Sequence, residues 1–171
     1  MAAPTLLTDR LVLLPLGPAD LDEVAALYAD AAVMRHVDGG VRTRPETADA
    51  LGANERSWKT QGWGLWAIRD TATGGLVGEG GLQTVTDLVG VDTDFGYTLG
   101  RRHWGKGLAT EAGSAILDDL WSRYGGDTIQ AMVHDDHRAS IRVLEKLGFT
   151  ELDTRTVRGE RQRLYSLDRP A

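Results

Sequence analysis

The stretch that most constrains the fold is a glycine-bearing turn between a strand-like run and a helix-like run: Gly100-Arg101-Arg102-His103-Trp104-Gly105-Lys106-Gly107-Leu108-Ala109-Thr110. Upstream, Val91 to Leu99 alternates. Val91, Thr93, Phe95, Tyr97 and Leu99 fall on one face, while Asp92, Asp94, Gly96 and Thr98 fall on the other, where small side chains leave room for a ligand. Downstream, Ala109, Ala112, Ile116 and Leu120 recur at helical spacing. Glycines at 105 and 107 let the backbone approach a ligand closely and present successive N–H groups. A helix opening at about Gly107 adds the positive end of its dipole. Such a turn is suited to an anion, above all a phosphate or pyrophosphate.

Spacing separates three phosphate-loop readings. Gly100 to Gly105-Lys106 fits the start of G-x-x-x-x-G-K, but Gly107 stands where a magnesium-holding Ser or Thr is required. A dinucleotide fingerprint needs Gly or Ala at 110 and finds Thr110, with no acidic strand end about twenty residues on. The third pattern, Arg or Gln-x-x-Gly-x-Gly or Ala, is met by Arg102-His103-Trp104-Gly105-Lys106-Gly107. This resembles the acetyl-CoA pyrophosphate loop of the GNAT (GCN5-related) N-acetyltransferases. Asp94-Phe95-Gly96-Tyr97 ahead of the loop and Ala139 to Phe149 behind it, resembling a second CoA-contacting helix, extend the likeness. With Trp104 to Ala112, they resemble the branch containing the ribosomal-protein alanine N-acetyltransferases (RimJ/RimL-like).

The rest of the chain accommodates that layout. Arg10 to Leu16 reads as a strand and Pro18 as the start of a helix, with Leu21, Val24, Ala25 and Tyr28 on one face. Thr43-Arg44-Pro45-Glu46 is a capping box opening a second helix to about Lys59. Trp63 to Arg69 and Leu76 to Val85 read as paired strands, the second weakened by Gly78, Gly80 and Gly81 toward a bulge or close backbone approach. Thr128 to Val133, a helix from Asp136 or His137 to Gly148, and strands at Phe149 to Asp153 and Arg163 to Leu167 follow. The expected order β-α-α-β-β-β-α-β-α-β-β makes one α/β domain over 1–171 with a mixed, largely antiparallel sheet. The resemblance implies that its central strands splay into a wedge for CoA.

Composition narrows the partners. The charge balance of 19 basic against 25 acidic residues, net −6, speaks against nucleic acid and for a cationic partner. The absence of cysteine rules out disulfides, cysteine-type zinc sites and an acyl-cysteine intermediate. No run approaches membrane-spanning length and no leader pattern is found, so a cytoplasmic location is the expectation, with a homodimer as an assembly option.

The resemblance assigns roles residue by residue. Leu99 is expected beside the pantetheine arm. Arg101, Arg102, Trp104, Gly105, Lys106, Gly107, Leu108, Ala109 and Thr110 are expected around the pyrophosphate. Acetyl transfer to an amine needs a base, a polarised carbonyl and an acid for the thiolate. Asp94 stands where the family often has a carboxylate, with Asp92 a chemical competitor and Glu79 the next candidate. The tyrosine acid of many members is replaced by Leu144, which leaves Ser140 as acid and CoA contact. His137 replaces the usual Asn toward pantetheine and, with an ordinary pKa near 6.5, is expected to add pH dependence. His134 and His137 also form H-x-x-H, but no third ligand is evident and no metal is expected. Met34, Asp38, Trp63 and Trp66 are candidates for the acceptor pocket. The expected reaction is direct transfer from acetyl-CoA to an amine, either a protein N-terminus or a small cationic molecule. Detoxification of an amine antibiotic or polyamine, and a non-catalytic CoA sensor, are the rival readings.

Overall fold

The computed structural model describes residues 4–171. Its elements run β1 (Leu6–Leu7), β2 (Leu11–Pro15), α1 (Leu21–Tyr28), α2 (Arg44–Gln61), β3 (Leu65–Asp70), β4 (Leu76–Thr84), β5 (Thr93–Leu99), α3 (Leu108–Arg123), β6 (Thr128–His134), α4 (Arg138–Lys146), β7 (Thr150–Val157) and β8 (Glu160–Asp168). The order is the expected one plus a two-residue strand, β1, which has no alternation to reveal it and exists by pairing Leu6 with Leu13. The last hairpin is longer than expected. Glu160–Asp168 pairs with both β6 and β7, so ladder bonds extend it beyond its apolar run.

Two antiparallel sheets result, ordered β1-β2-β3-β4-β5 and β6-β8-β7. Where β5 and β6 face each other no ladder joins them; side chains bridge the gap. Gln130 N–H donates to Thr93 Oγ1 at 3.2 Å and Met132 N–H to Asp94 Oδ1 at 2.9 Å. The sheets therefore splay at β5, as the resemblance implied. A Cβ at Gly78 would lie 2.1 Å from the Thr98 carbonyl and one at Gly81 2.2 Å from that of Gly64, so the β4 glycines mark close approach. The pairing with β3 slips at Ile68/Arg69, opposite that stretch.

The strand period sorts the core. Trp66 and Ile68 pack with Ala112, Ile116 and Leu120 of α3, while Leu65 and Ala67 pack with Val24 and Tyr28 of α1 and Leu51 of α2. The capping box forms: Thr43 N–H donates to Glu46 Oε2 at 2.7 Å, and Glu46 N–H to Thr43 Oγ1 at 3.4 Å. Buried Asn54 ties α2 to the sheet. Its Nδ2 donates to the carbonyls of Leu16 and Leu65, and its Oδ1 accepts from Leu65 N–H.

Candidate active site

After β5 the chain makes one 3-10 turn, Arg101–His103, and passes Gly105 and Gly107 at φ 70° and 76°, left-handed values that favour glycine. The first intrahelical bond of α3 is Glu111 N–H to Gly107 O, which leaves the N–H groups of Leu108, Ala109 and Thr110 to an outside acceptor. Nothing lies within 4 Å of the place a Gly105 side chain would take. The base of the loop is clamped from the N-terminal side. Arg10 donates to Lys106 O at 2.9 Å and pairs with Glu111 at 2.6 Å, and Thr8 donates to the same carboxylate. An open, amide-lined cradle at a helix N-terminus fits a pyrophosphate.

The cradle opens into a cavity of about 970 Å³. Leu99, Trp104, Gly105, Gly107, Leu108, Ala109, Thr110, His137 and Ser140 line it. The basic side chains of the loop do not. Arg101 pairs with Asp30 at 2.8 Å, Arg102 donates to His103, and Lys106 contributes its carbonyl to Arg10 while its side chain is exposed. The cradle is thus lined by backbone amides rather than by the basic side chains of the loop. Trp104 is half exposed and donates from its indole to Leu99 O at 2.8 Å, which braces the turn.

The cavity is lined from both faces of the sheet, so it passes through the splay. Phe95, Tyr97 and Leu99 face α3 and α4: Phe95 lies beside Gly113 of α3, and Tyr97 reaches α4. Asp94 and Thr98 face the other way, toward Asp38 and Glu79. Asp94 lines the cavity while Asp92 is exposed outside it. Burial pushes the Asp94 carboxyl up to about 7, with Asp38 adding to the rise and the Met132 amide and Arg158 opposing it. Glu79 is buried on β4, and burial raises its pKa against the pull of the Thr98 and Tyr28 hydroxyls and of Arg42. It lines the cavity wall on the Asp94 side of the sheet.

Three of the four acceptor-pocket expectations need correction or refinement. Trp66 is fully buried on the face of β3 opposite Leu65, edge-on to Trp58 at 4.6 Å, and does not line the cavity. Trp63 packs edge-on against Tyr124 in the same core. Met34 points into the core between Val24, Tyr28 and Leu51. Asp38 does line the cavity, but it is already engaged. It accepts from Gln162 and meets His134 and Arg158, whose other arm reaches Asp87 at 2.6 Å. Arg158 itself sits at φ 50° in the β7–β8 turn.

Ser140 lines the cavity on the first turn of α4, and Leu144, buried one turn later, lines it too. His137 is stacked face to face on His36 at 4.2 Å. Burial, then the neighbouring His36, lowers its pKa to about 4, against the pull of Asp136. It is neutral across the physiological range, so the expected titration near 6.5 is displaced. The H-x-x-H pair joins His36 in a ring stack, with His134 edge-on at 5.7 Å. Among the described residues no three His, Cys, Asp or Glu side chains converge as a metal would need. Tyr97, His36 and Arg158 are among the cavity residues that sequence reasoning did not assign to the site. The alternation of β5 could have signalled the first; the other two lie in turns whose approach is purely tertiary.

Among relatives, YkkB of Bacillus subtilis (strain 168), described as uncharacterized, is 32% identical over 155 residues, covering 86% of each chain. A solved structure from Bordetella pertussis, ascribed to the GnaT acetyltransferase family, superposes with a TM-score of 0.84 at 26% identity, covering 95% of this chain and 98% of its own. RimL, a ribosomal-protein alpha-N-acetyltransferase solved with coenzyme A, shares the fold at a TM-score of 0.79 and 15% identity, covering 96% and 98%. The family described as acetyltransferase (GNAT) domain matches residues 10–150, and with that match spanning most of its length the chain belongs to the GNAT acetyltransferases.

Proposed function

We propose that the chain transfers acetyl directly from acetyl-CoA to an amine acceptor that meets it at the splay between β5 and β6. The acceptor is cationic before reaction, a protein N-terminus or a small amine. The observation that carries this reading is the single cavity joining the Gly105–Thr110 amides to the Asp94 carboxyl through the sheet. The amides would hold the pyrophosphate, and Leu99 would run beside the pantetheine. The RimL structure in complex with coenzyme A supports CoA as the donor. Asp94, poised near 7, would draw a proton from the acceptor nitrogen, directly or through a water. The net charge of −6 favours a cationic acceptor, and at the cavity wall Asp94 is the carboxyl left to meet it, since Asp38 and Asp87 are both paired with Arg158.

The test is thiol release from acetyl-CoA with a panel of peptides and amines, comparing wild type with Asp94→Asn. Acceptor-dependent release that falls about 10²-fold or more in the variant, with CoA binding retained, supports the reading. Release that is unchanged in Asp94→Asn removes Asp94 from the chemistry. CoA binding with no release for any amine favours the sensor reading.

A further inference from the structure

We propose that Tyr97 is the positioning residue for the leaving-group acid: it holds Ser140 so that the serine O–H faces the departing sulfur. This rests on the acetyl-transfer reading and deepens it. The turn of α4 that would supply a hydroxyl one step further on holds Leu144, 3% exposed and packed in the core. Two hydroxyls instead meet at the cavity from different elements. Tyr97 Oη on β5 donates to Ser140 Oγ on α4 at 3.2 Å, and both residues line the cavity.

The direction of that bond matters. A serine hydroxyl has one proton and two lone pairs. Tyr97 uses a lone pair of Ser140, and Ser140 Oγ makes no other hydrogen bond among the described residues, so its own proton is free for a group in the cavity. Burial keeps the Tyr97 phenol above its ordinary pKa, so it remains a donor throughout the neutral range. The cationic acceptor first gives one proton to solvent by way of Asp94; then the N–C bond forms and the C–S bond breaks, and the nitrogen's second proton passes to Asp94. The sulfur takes the Ser140 proton as Ser140 takes that of Tyr97. Water then returns a proton to Tyr97 while Asp94 sheds its own, and the charges balance.

The chain has no cysteine, so in a mixture with CoA the only thiol is CoA's own. The experiment is the pH dependence of CoA alkylation by iodoacetamide at saturating protein, which follows the thiolate fraction. Wild type is expected to lower the apparent thiol pKa below that of free CoA. Tyr97→Phe keeps the ring and loses the hydroxyl, and should raise that pKa by about 0.5–1 pH unit, the equivalent of one hydrogen bond. Ser140→Ala should raise it at least as much, and Tyr97→Phe should add nothing in the Ser140→Ala background. Superimposable titrations of wild type and Tyr97→Phe, or equal shifts by Tyr97→Phe in both backgrounds, overturn the proposal. Amine-dependent thiol release with no Tyr97 effect on the titration defeats this proposal alone. The expected titration with no release for any amine defeats the transfer reading alone, and no CoA binding overturns both.

Discussion

Replacing Asp94 by Asn should make the protein more stable at alkaline pH while stopping its chemistry. The carboxyl ionises at about 7 in the folded chain against an ordinary 3.8, a difference of about 3 units. As pH rises past 3.8 the unfolded chain releases this proton first and the folded chain retains it, so the fold loses stability until about pH 7 and the loss is complete above it. At about 1.36 kcal/mol per unit the ceiling is about 4 kcal/mol. Local relaxation and water at the cavity wall reduce it, and about 1–3 kcal/mol is the expected gain. Asn is isosteric and its Oδ1 still accepts the Met132 N–H, so no bond across the splay is lost. For a chain of this size that is a rise of about 3–10 °C in Tm. Thermal unfolding of both proteins at pH 4 and pH 8.5 measures it. The Tm difference should open between the two pH values and nearly vanish at pH 4, where the native carboxyl is protonated. A difference that does not depend on pH, or a variant less stable at pH 8.5, would refute the assignment of a raised pKa to Asp94.

In wild type, kcat/KM should rise about tenfold per pH unit below about 7 and level off above it. Because His137 titrates near 4, the slope between pH 5 and 7 should stay at one proton; a two-proton slope there would contradict the displaced titration of His137. Asn54→Ala strands Leu16 O and Leu65 N–H in the core, while Leu65 O keeps Trp58 Nε1 and Leu16 N–H, and should cost about 2–4 kcal/mol in denaturant unfolding with acetyl-CoA affinity unchanged. Gly107→Ala meets only an ordinary contact, Arg10 Nη2 at 3.6 Å, but places a side chain at φ 76°. The strain of about 1–2 kcal/mol should show as roughly tenfold weaker acetyl-CoA binding by calorimetry, as the loop relaxes away from its amide-forward shape.

The phosphate cradle was legible because its chemistry is local: two left-handed glycines and a helix start are written in consecutive residues. The alternation of β5 likewise placed Asp94 on the open face, since a strand's period is fixed by its backbone. Two tryptophans on a strand carry no such information about which face is open. Trp66 and Leu65 are neighbours in sequence, yet only Leu65 lines the cavity. The basic residues of the loop were equally ambiguous, because a long side chain beside an anion site can turn to Asp30 or His103 as readily as to a ligand. The pKa of His137 and the engagement of Asp38 by Arg158 depend on segments 100 or more positions apart in sequence, and nothing local encodes them.

The central claim is that one cavity brings a CoA-borne acetyl group and an amine together at Asp94. The most direct measurement is calorimetric binding of acetyl-CoA, followed by free-thiol release from the same complex as peptides and amines are added in turn. Micromolar or tighter binding, with release driven by one class of cationic acceptor and abolished in Asp94→Asn, is the predicted result. No binding of acetyl-CoA to the wild-type chain would contradict the reading of the Gly105–Thr110 cradle, and with it the account of the site.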